Sequence, residues 1–319
     1  MRRLIVVQPH GFCSGVARAI RTAEALLAKF RSEPVFCLHE IVHNRQVVDR
    51  LSQQGMVFVK SVEDVPPGSL LLFSAHGVSP AVRLRANERN LRVIDATCPF
   101  VAKVHAEVRR YVNEGRDVIC IGHRNHDEVV GVSGEAPGHV QIVESEAEID
   151  SLPASDRPLA VVTQTTLSMD SVVGMLTVLS NKFPRLLLPD TTEICYATQN
   201  RQEAVRALAE TAPLVFVLGS RNSSNSLRLV ETAQRAGAEA RLISDTSDLN
   251  NCAFPEACIV GLTSGASTPE SFLYEVISQL RTRFGFEAPK EITAVEEKGC
   301  VFRLPPEVDG SREAANAAS

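Results

Sequence analysis

The sequence predicts an α/β protein of three similar small modules, each a parallel sheet with helices packed on it, set pseudo-threefold about a common centre. Three observations lead there. The chain has 319 residues, enough for two or three domains of about 100–150 residues each. Cys13, Cys98 and Cys195 stand 85 and 97 residues apart, each between a strand-like and a helix-like run. Strand and helix patterns alternate throughout, the order expected of parallel sheets with crossover helices. The repeat divides the chain at 1–90, 91–186 and 187–284, with a tail at 285–319.

Taken in order, residues 4–7 (Leu-Ile-Val-Val) read as a first buried strand. Gly11-Phe-Cys-Ser-Gly then opens a helix with apolar positions Val16, Ile20, Ala23, Leu27 and Phe30. The helix after Cys98 repeats this with Val101, Val104, Val108, Tyr111 and Val112. Spacings of three and four place one face of each helix in a core. A second strand and a polar loop follow in every module. They are Val35–Leu38 with His43 and Asn44, 118–121 with His126, Asp127 and Glu128, and Leu214–Leu218 with Ser223, Ser224 and Asn225. These loops begin 30, 28 and 28 residues after their cysteine.

A third strand and a short acidic turn come next, near Ser61, Glu144 and Ser244. The fourth strand again ends in a polar loop. Leu70–Phe73 precedes Ser74 and His76, 159–162 precedes Thr163 and Thr165, and 259–262 precedes Thr263 and Ser267. Every polar loop follows a strand, and ligands of such sheets bind beyond the strands' carboxyl ends. In the tail, 301–304 suggests a short strand and 309–319 a frayed end.

Composition excludes several classes. With 44% hydrophobic and 22% charged residues the chain is globular. No apolar run approaches the roughly 18 residues of a membrane span. The four-residue run at 4–7 is too short for a secretory signal, so a cytoplasmic protein is expected. A formal charge of −5 does not favour a nucleic-acid partner. The eight cysteines include no Cys-x-x-Cys pair. Cys37, Cys120 and Cys258 lie in apolar runs and read as small buried hydrophobes.

Three cysteines converging from three modules suggest a metal. Zinc with three thiolates and an open position is one reading. An iron–sulfur cluster is the other, and accepts single thiolates from distant loops more readily. A four-iron cluster held by three cysteines leaves one iron free for substrate. Three buried free thiols remain the plain alternative. The loop residues His43, His76, His126, Ser223, Ser224, Asn225 and Ser267 suit a phosphate or diphosphate at helix starts, although serine and asparagine are also ordinary N-caps. One of Asp127 and Glu128 could act as a general acid, with the two side chains expected to diverge. A zinc-dependent hydrolase of a phosphorylated metabolite and a non-catalytic phosphometabolite-binding protein are the competing functions.

The chain resembles the LytB-type 4-hydroxy-3-methylbut-2-enyl diphosphate reductases. Gly11-Phe-Cys-Ser-Gly-Val, Ile41-Val-His-Asn-Arg, Ser74-Ala-His-Gly-Val-Ser, Asp95-Ala-Thr-Cys-Pro-Phe-Val, Thr163-Gln-Thr-Thr-Leu-Ser, Gly219-Ser-Arg-Asn-Ser-Ser-Asn-Ser and Thr263-Ser-Gly-Ala-Ser-Thr-Pro carry the likeness. The resemblance implies three α/β domains around one [4Fe–4S] cluster, held by Cys13, Cys98 and Cys195 with one iron lacking a cysteine. It implies diphosphate binding by His43, His76, Ser223, Ser224, Asn225 and Ser267. It implies a catalytic set of Glu128 as proton donor, Thr165 at the substrate hydroxyl, and His126 lining the site. An allylic diphosphate would be the substrate, and ferredoxin or flavodoxin the electron donor. The chain departs from the usual pattern at Asp127, often proline, and at Ser14, often alanine. Asp127 adds a charge beside the implied proton donor.

Overall fold

A computed structural model of the protein describes residues 1–153, 157–188, 194–297 and 300–309. The first part of the chain runs β1 (Arg2–Gln8), α1 (Ser14–Lys29), β2 (Val35–Leu38), α2 (Arg45–Gln53), β3 (Met56–Val59), β4 (Leu70–Phe73), α3 (Pro80–Glu88) and β5 (Arg92–Asp95). The second holds α4 (Pro99–Asn113), β6 (Asp117–Ile121), α5 (Asp127–Ser133), β7 (Val140–Val143), α6 (Glu146–Asp150), β8 (Leu159–Thr163) and α7 (Met169–Lys182). The third holds α8 (Tyr196–Ala209), β9 (Leu214–Leu218), α9 (Ser224–Arg235), β10 (Glu239–Ile243), β11 (Cys258–Ser264), α10 (Glu270–Phe284) and β12 (Lys290–Thr293). Two of the acidic turns are 3-10 turns, at Val62–Asp64 and Thr246–Asn251, capped by Ser61 and Asp245. The turn between them is α6, after Ser145.

Three sheets form, ordered β3-β2-β4-β5, β7-β6-β8 and β10-β9-β11-β1-β12, and their pairings are parallel. Each has apolar side chains buried on both faces, as doubly wound sheets require. The expected α/β architecture is therefore what the chain adopts.

Strand membership departs from the repeat in an instructive way. β1, expected in the first module, pairs with β11 in the third sheet. β5, expected in the second, pairs with β4 in the first. Leu187 bridges Ala160 of β8 and so extends the second sheet. The strand before each cysteine thus completes the sheet of the module behind it. The helix after it packs on the next: α1 with Val35 and Leu72, α4 with Val118 and Val162, α8 with Val215 and Val217. An apolar run announces a strand but not which free edge it joins, and that choice is tertiary.

The tail also differs. β12, not 301–304, is the added strand, lying along β1. Its Lys-Glu-Ile-Thr is polar because it borders the sheet, so it carries no apolar signature. Val301 is exposed, and Phe302 packs edge-on against Phe100. The frayed end expected at 309–319 lies, beyond Asp309, outside the described residues.

Candidate active site

The handover between sheets sets the three cysteines. Each is the residue before a helix: Cys13 caps α1, Cys98 α4 and Cys195 α8. Each backbone N–H donates to a carbonyl in the loop after a fourth strand: Cys13 to Ala266, Cys98 to Ala75, Cys195 to Thr165, at 3.0–3.1 Å. One contact thus recurs three times around the centre. A Cβ on Gly15 would lie 2.4 Å from the Cys98 sulfur, so only glycine lets α1 and the Cys98 thiol meet. Burial, then Cys13, pushes the Cys98 and Cys195 thiols up to about 12. Thiols so raised resist ionising unless a cation compensates them, which fits a bound metal centre. Of the other cysteines, Cys37 and Cys120 are buried as expected. Cys258 is only partly buried, because it begins β11 at the sheet's rim.

A cavity of about 100 Å³ is lined by the three cysteines together with His43, His76, His126, Glu128, Thr165, Ser223, Ser224, Asn225 and Ser267. The residues that the resemblance assigns to metal, substrate and catalysis thus line one space, while Asp127 does not. At one side α9 begins. Ser223 accepts from the Ser226 N–H, and Asn225 Oδ1 accepts from the Ala266 N–H at 2.9 Å. The Ser267 hydroxyl donates to the His43 carbonyl at 3.1 Å. The Ser224 hydroxyl and the Asn225 side-chain NH₂ are buried with no partner. Such orphans are costly unless a ligand satisfies them. At a helix N-terminus they match an anion.

The histidines face them. His43 and His76 stack with centroids 4.0 Å apart, and His126 meets them edge-on at 5.0 and 5.7 Å. Burial, then the neighbouring imidazoles, holds His76 well below its ordinary value and His126 at about 3. Sequence reasoning missed the support of His43. Glu40 sits 3.3 Å from its Nδ1 and accepts from Asn222 at 2.8 Å. That Glu40 precedes His43 by three residues was the available signal.

Glu128 and Asp127 open α5 and diverge, as expected. Glu128 is 2% exposed. Its Oε1 accepts from the Thr165 N–H at 2.7 Å, and its Oε2 faces the Thr165 hydroxyl at 3.1 Å. Burial raises its pKa, opposed by the two Thr165 bonds. The N–H requires Oε1 as an acceptor, so a proton on the acid belongs on Oε2, beside the Thr165 hydroxyl. The His126 Nδ1 accepts the Glu128 N–H at 3.2 Å, which leaves its own proton on Nε2. Asp127 turns the other way, toward His39, His43 and His76.

Comparison with known proteins agrees. Residues 4–281 match the LytB protein family. A Mycobacterium bovis protein named 4-hydroxy-3-methylbut-2-enyl diphosphate reductase 1 is 47% identical over 98% of this chain and 92% of its own. The Zymomonas mobilis reductase of the same name is 48% identical over 96% and 89%. The solved structure of the Plasmodium falciparum E-1-hydroxy-2-methyl-but-2-enyl-4-diphosphate reductase superposes with a TM-score of 0.93, at 37% identity, covering 98% and 99%. A second solved reductase, described as the terminal enzyme of the non-mevalonate pathway, gives 0.63 at 30% identity, covering 88% and 99%. With the family model matching residues 4–281 and relatives 47–48% identical over nearly its whole length, the chain belongs to the LytB family.

Proposed function

We infer that this chain is a 4-hydroxy-3-methylbut-2-enyl diphosphate reductase. It takes two electrons and two protons, releases the allylic hydroxyl as water, and yields isopentenyl and dimethylallyl diphosphate, the last step of the methylerythritol phosphate route. The observation that carries this reading is a single cavity uniting three partly buried thiols, orphaned donors at a helix start and a carboxylic acid raised by burial. Cys13, Cys98 and Cys195 would hold one [4Fe–4S] cluster. When bound, the cluster supplies the electrons and, at an iron without cysteine, a Lewis-acid site. Ser223, Ser224, Asn225, Ser267, His43 and His76 hold the diphosphate. Glu128 passes a proton from Oε2 to the Thr165 hydroxyl, whose own proton goes to the leaving oxygen. His126 fixes the start of α5 and so the aim of Glu128. A one-electron carrier, ferredoxin or flavodoxin, supplies the electrons, and the setting is cytoplasmic. Among the described residues no helix is long and apolar enough to cross a membrane.

The test is metal analysis of anaerobically purified protein beside Cys13→Ser, Cys98→Ser, Cys195→Ser and Cys120→Ala. Brown protein with iron and sulfide is expected for the parent and Cys120→Ala, and loss of both with activity for the three serine variants. Colourless protein carrying zinc would instead support a hydrolase, and metal-free protein a binding role.

A further inference from the structure

Asp127 is a carboxylate set against His43 and His76, two of the histidines lining a cavity furnished for an anion. It is the first residue of α5, and its neighbour Glu128 is committed to Thr165. One Asp127 oxygen, Oδ2, lies 3.7 Å from His43 Nε2 and 3.8 Å from His76 Nδ1, and the other lies 3.4 Å from His39 Nδ1. All three separations exceed a good hydrogen bond. The carboxylate is therefore not locked by hydrogen bonds, and its side chain is about one-quarter exposed, 24%. His43 Nε2 is the free edge of that ring, because Nδ1 is engaged by Glu40.

A shared divalent cation is the first reading to weigh, since the ligand atoms of His43, His76 and Asp127 lie within 4.8 Å of one another. The rings argue against it. An imidazole binds a metal in its own plane, at roughly 2.0–2.1 Å for zinc. The planes of His43 and His76 are stacked, only 18° from parallel. Their lone pairs do not converge on one point at bonding distance. The carboxylate stands against the ring edges of the histidines, not as a co-ligand with them.

We propose that Asp127 sets the affinity of this pocket by standing where the substrate's diphosphate must go, so that diphosphate binds His43 and His76 by displacing the Asp127 carboxylate. The inference rests on the diphosphate reading of the cavity given above. Displacement carries an opposing term, because two anions brought within a few ångströms at a partly screened site repel. Substrate affinity is thereby held below what the histidines and α9 would give alone. Asn at this position keeps the size and removes the charge.

The experiment is calorimetric titration of inorganic diphosphate into anaerobically purified protein, in EDTA and again with Mn²⁺. Parent, Asp127→Asn, Asp127→Glu and His43→Ala are compared, with KM for the substrate measured in parallel. In EDTA, Asp127→Asn should bind diphosphate on the order of tenfold more tightly and show a correspondingly lower KM. Asp127→Glu should stay near the parent and His43→Ala should bind more weakly. Structural damage does not produce a gain in affinity, so that gain identifies the charge. Binding that depends on His43 but is not tightened in Asp127→Asn overturns the inference and leaves the diphosphate site standing. Mn²⁺ tightening the parent but not Asp127→Asn makes Asp127 a cation ligand and also overturns it. Binding indifferent to His43, or absent throughout, overturns the diphosphate site and this inference with it.

Discussion

The residue proposed as proton donor is Glu128, and its behaviour follows from burial. Its folded pKa lies above the ordinary carboxylate value because desolvation outweighs the two bonds from Thr165. A raised acid keeps its proton to higher pH, so turnover should be retained at low pH and fall as pH rises through the folded value. The same shift acts on stability. Its contribution is fully present below the unfolded pKa and is lost as pH rises from there through the folded pKa. Glu128→Gln is isosteric with the protonated acid and can repeat its contacts, with Oε1 accepting from the Thr165 N–H and Nε2 donating to the hydroxyl. Single-turnover product formation should drop by about 10²-fold or more, the scale of losing a positioned general acid. Iron content should be unchanged. Melting temperature at alkaline pH should hold or rise relative to the parent. Normal turnover, or loss of iron, would remove Glu128 from the proton route.

At the scale of the element, α5 is the part to watch, because it is seven residues long and carries Glu128 in its first turn. A helix so short is not stable by itself. It is fixed on α4 by a buried network: His105 Nδ1 lies 2.6 Å from Glu135 Oε1, and Arg109 reaches Glu135 Oε2 at 2.9 Å. The His105 ring has room because Gly77 and Gly131 face it, where Cβ atoms would come within 2.7 and 3.2 Å of the ring. The network therefore ties the helix capped by Cys98 to the helix whose first turn carries Glu128. Glu135→Ala strands the buried His105 ring and should cost about 1–3 kcal/mol. Chemical denaturation would measure that as a lower midpoint at unchanged slope. A midpoint within error of the parent would show that α5 is held by its apolar contacts, Val129 and Val132, alone.

Across the whole molecule, the chain's last described segment touches elements of all three modules. β12 covers the edge of β1, and beyond it the chain crosses the starts of the cysteine helices. The fully buried Arg201 on α8 binds the Gly11 carbonyl at 2.8 Å and the Glu297 carboxylate at 3.0 Å. Tyr196 meets Ser14 at 3.0 Å and Cys300 at 3.6 Å. Arg18 donates to the Arg303 carbonyl at 2.8 Å, and Lys29 to the Glu307 carbonyl at 3.2 Å. The segment joins the first cysteine loop to the third across the seam where β1 enters the third sheet. Glu297→Ala leaves a guanidinium buried without its carboxylate. The cost should reach up to about 3 kcal/mol, tempered because Glu297 is itself 19% exposed and two backbone carbonyls remain. A thermal melt would register it, and an unchanged melt would mean that the carbonyls alone compensate Arg201.

The sequence by itself determined the parts that local periodicity and spacing encode. The strands at Val35–Leu38, Leu70–Phe73 and Leu214–Leu218, the helix faces after Cys13 and Cys98, and the three matched polar loops are all local signals. Closely matched offsets of 30, 28 and 28 residues from each cysteine then implied a shared edge, and the cavity unites loop residues from all three. The tertiary structure alone decided the rest. It chose which sheet received β1 and β5, because edge pairing depends on which strand ends are left open by the others. It made a strand of Lys290–Thr293, whose polar residues need only one partner edge. It sent Glu128 inward to Thr165 and Asp127 to the histidines. Two adjacent carboxylates are alike in sequence, and only the helix phase on which α5 lands separates a buried acid from a carboxylate set against the histidines.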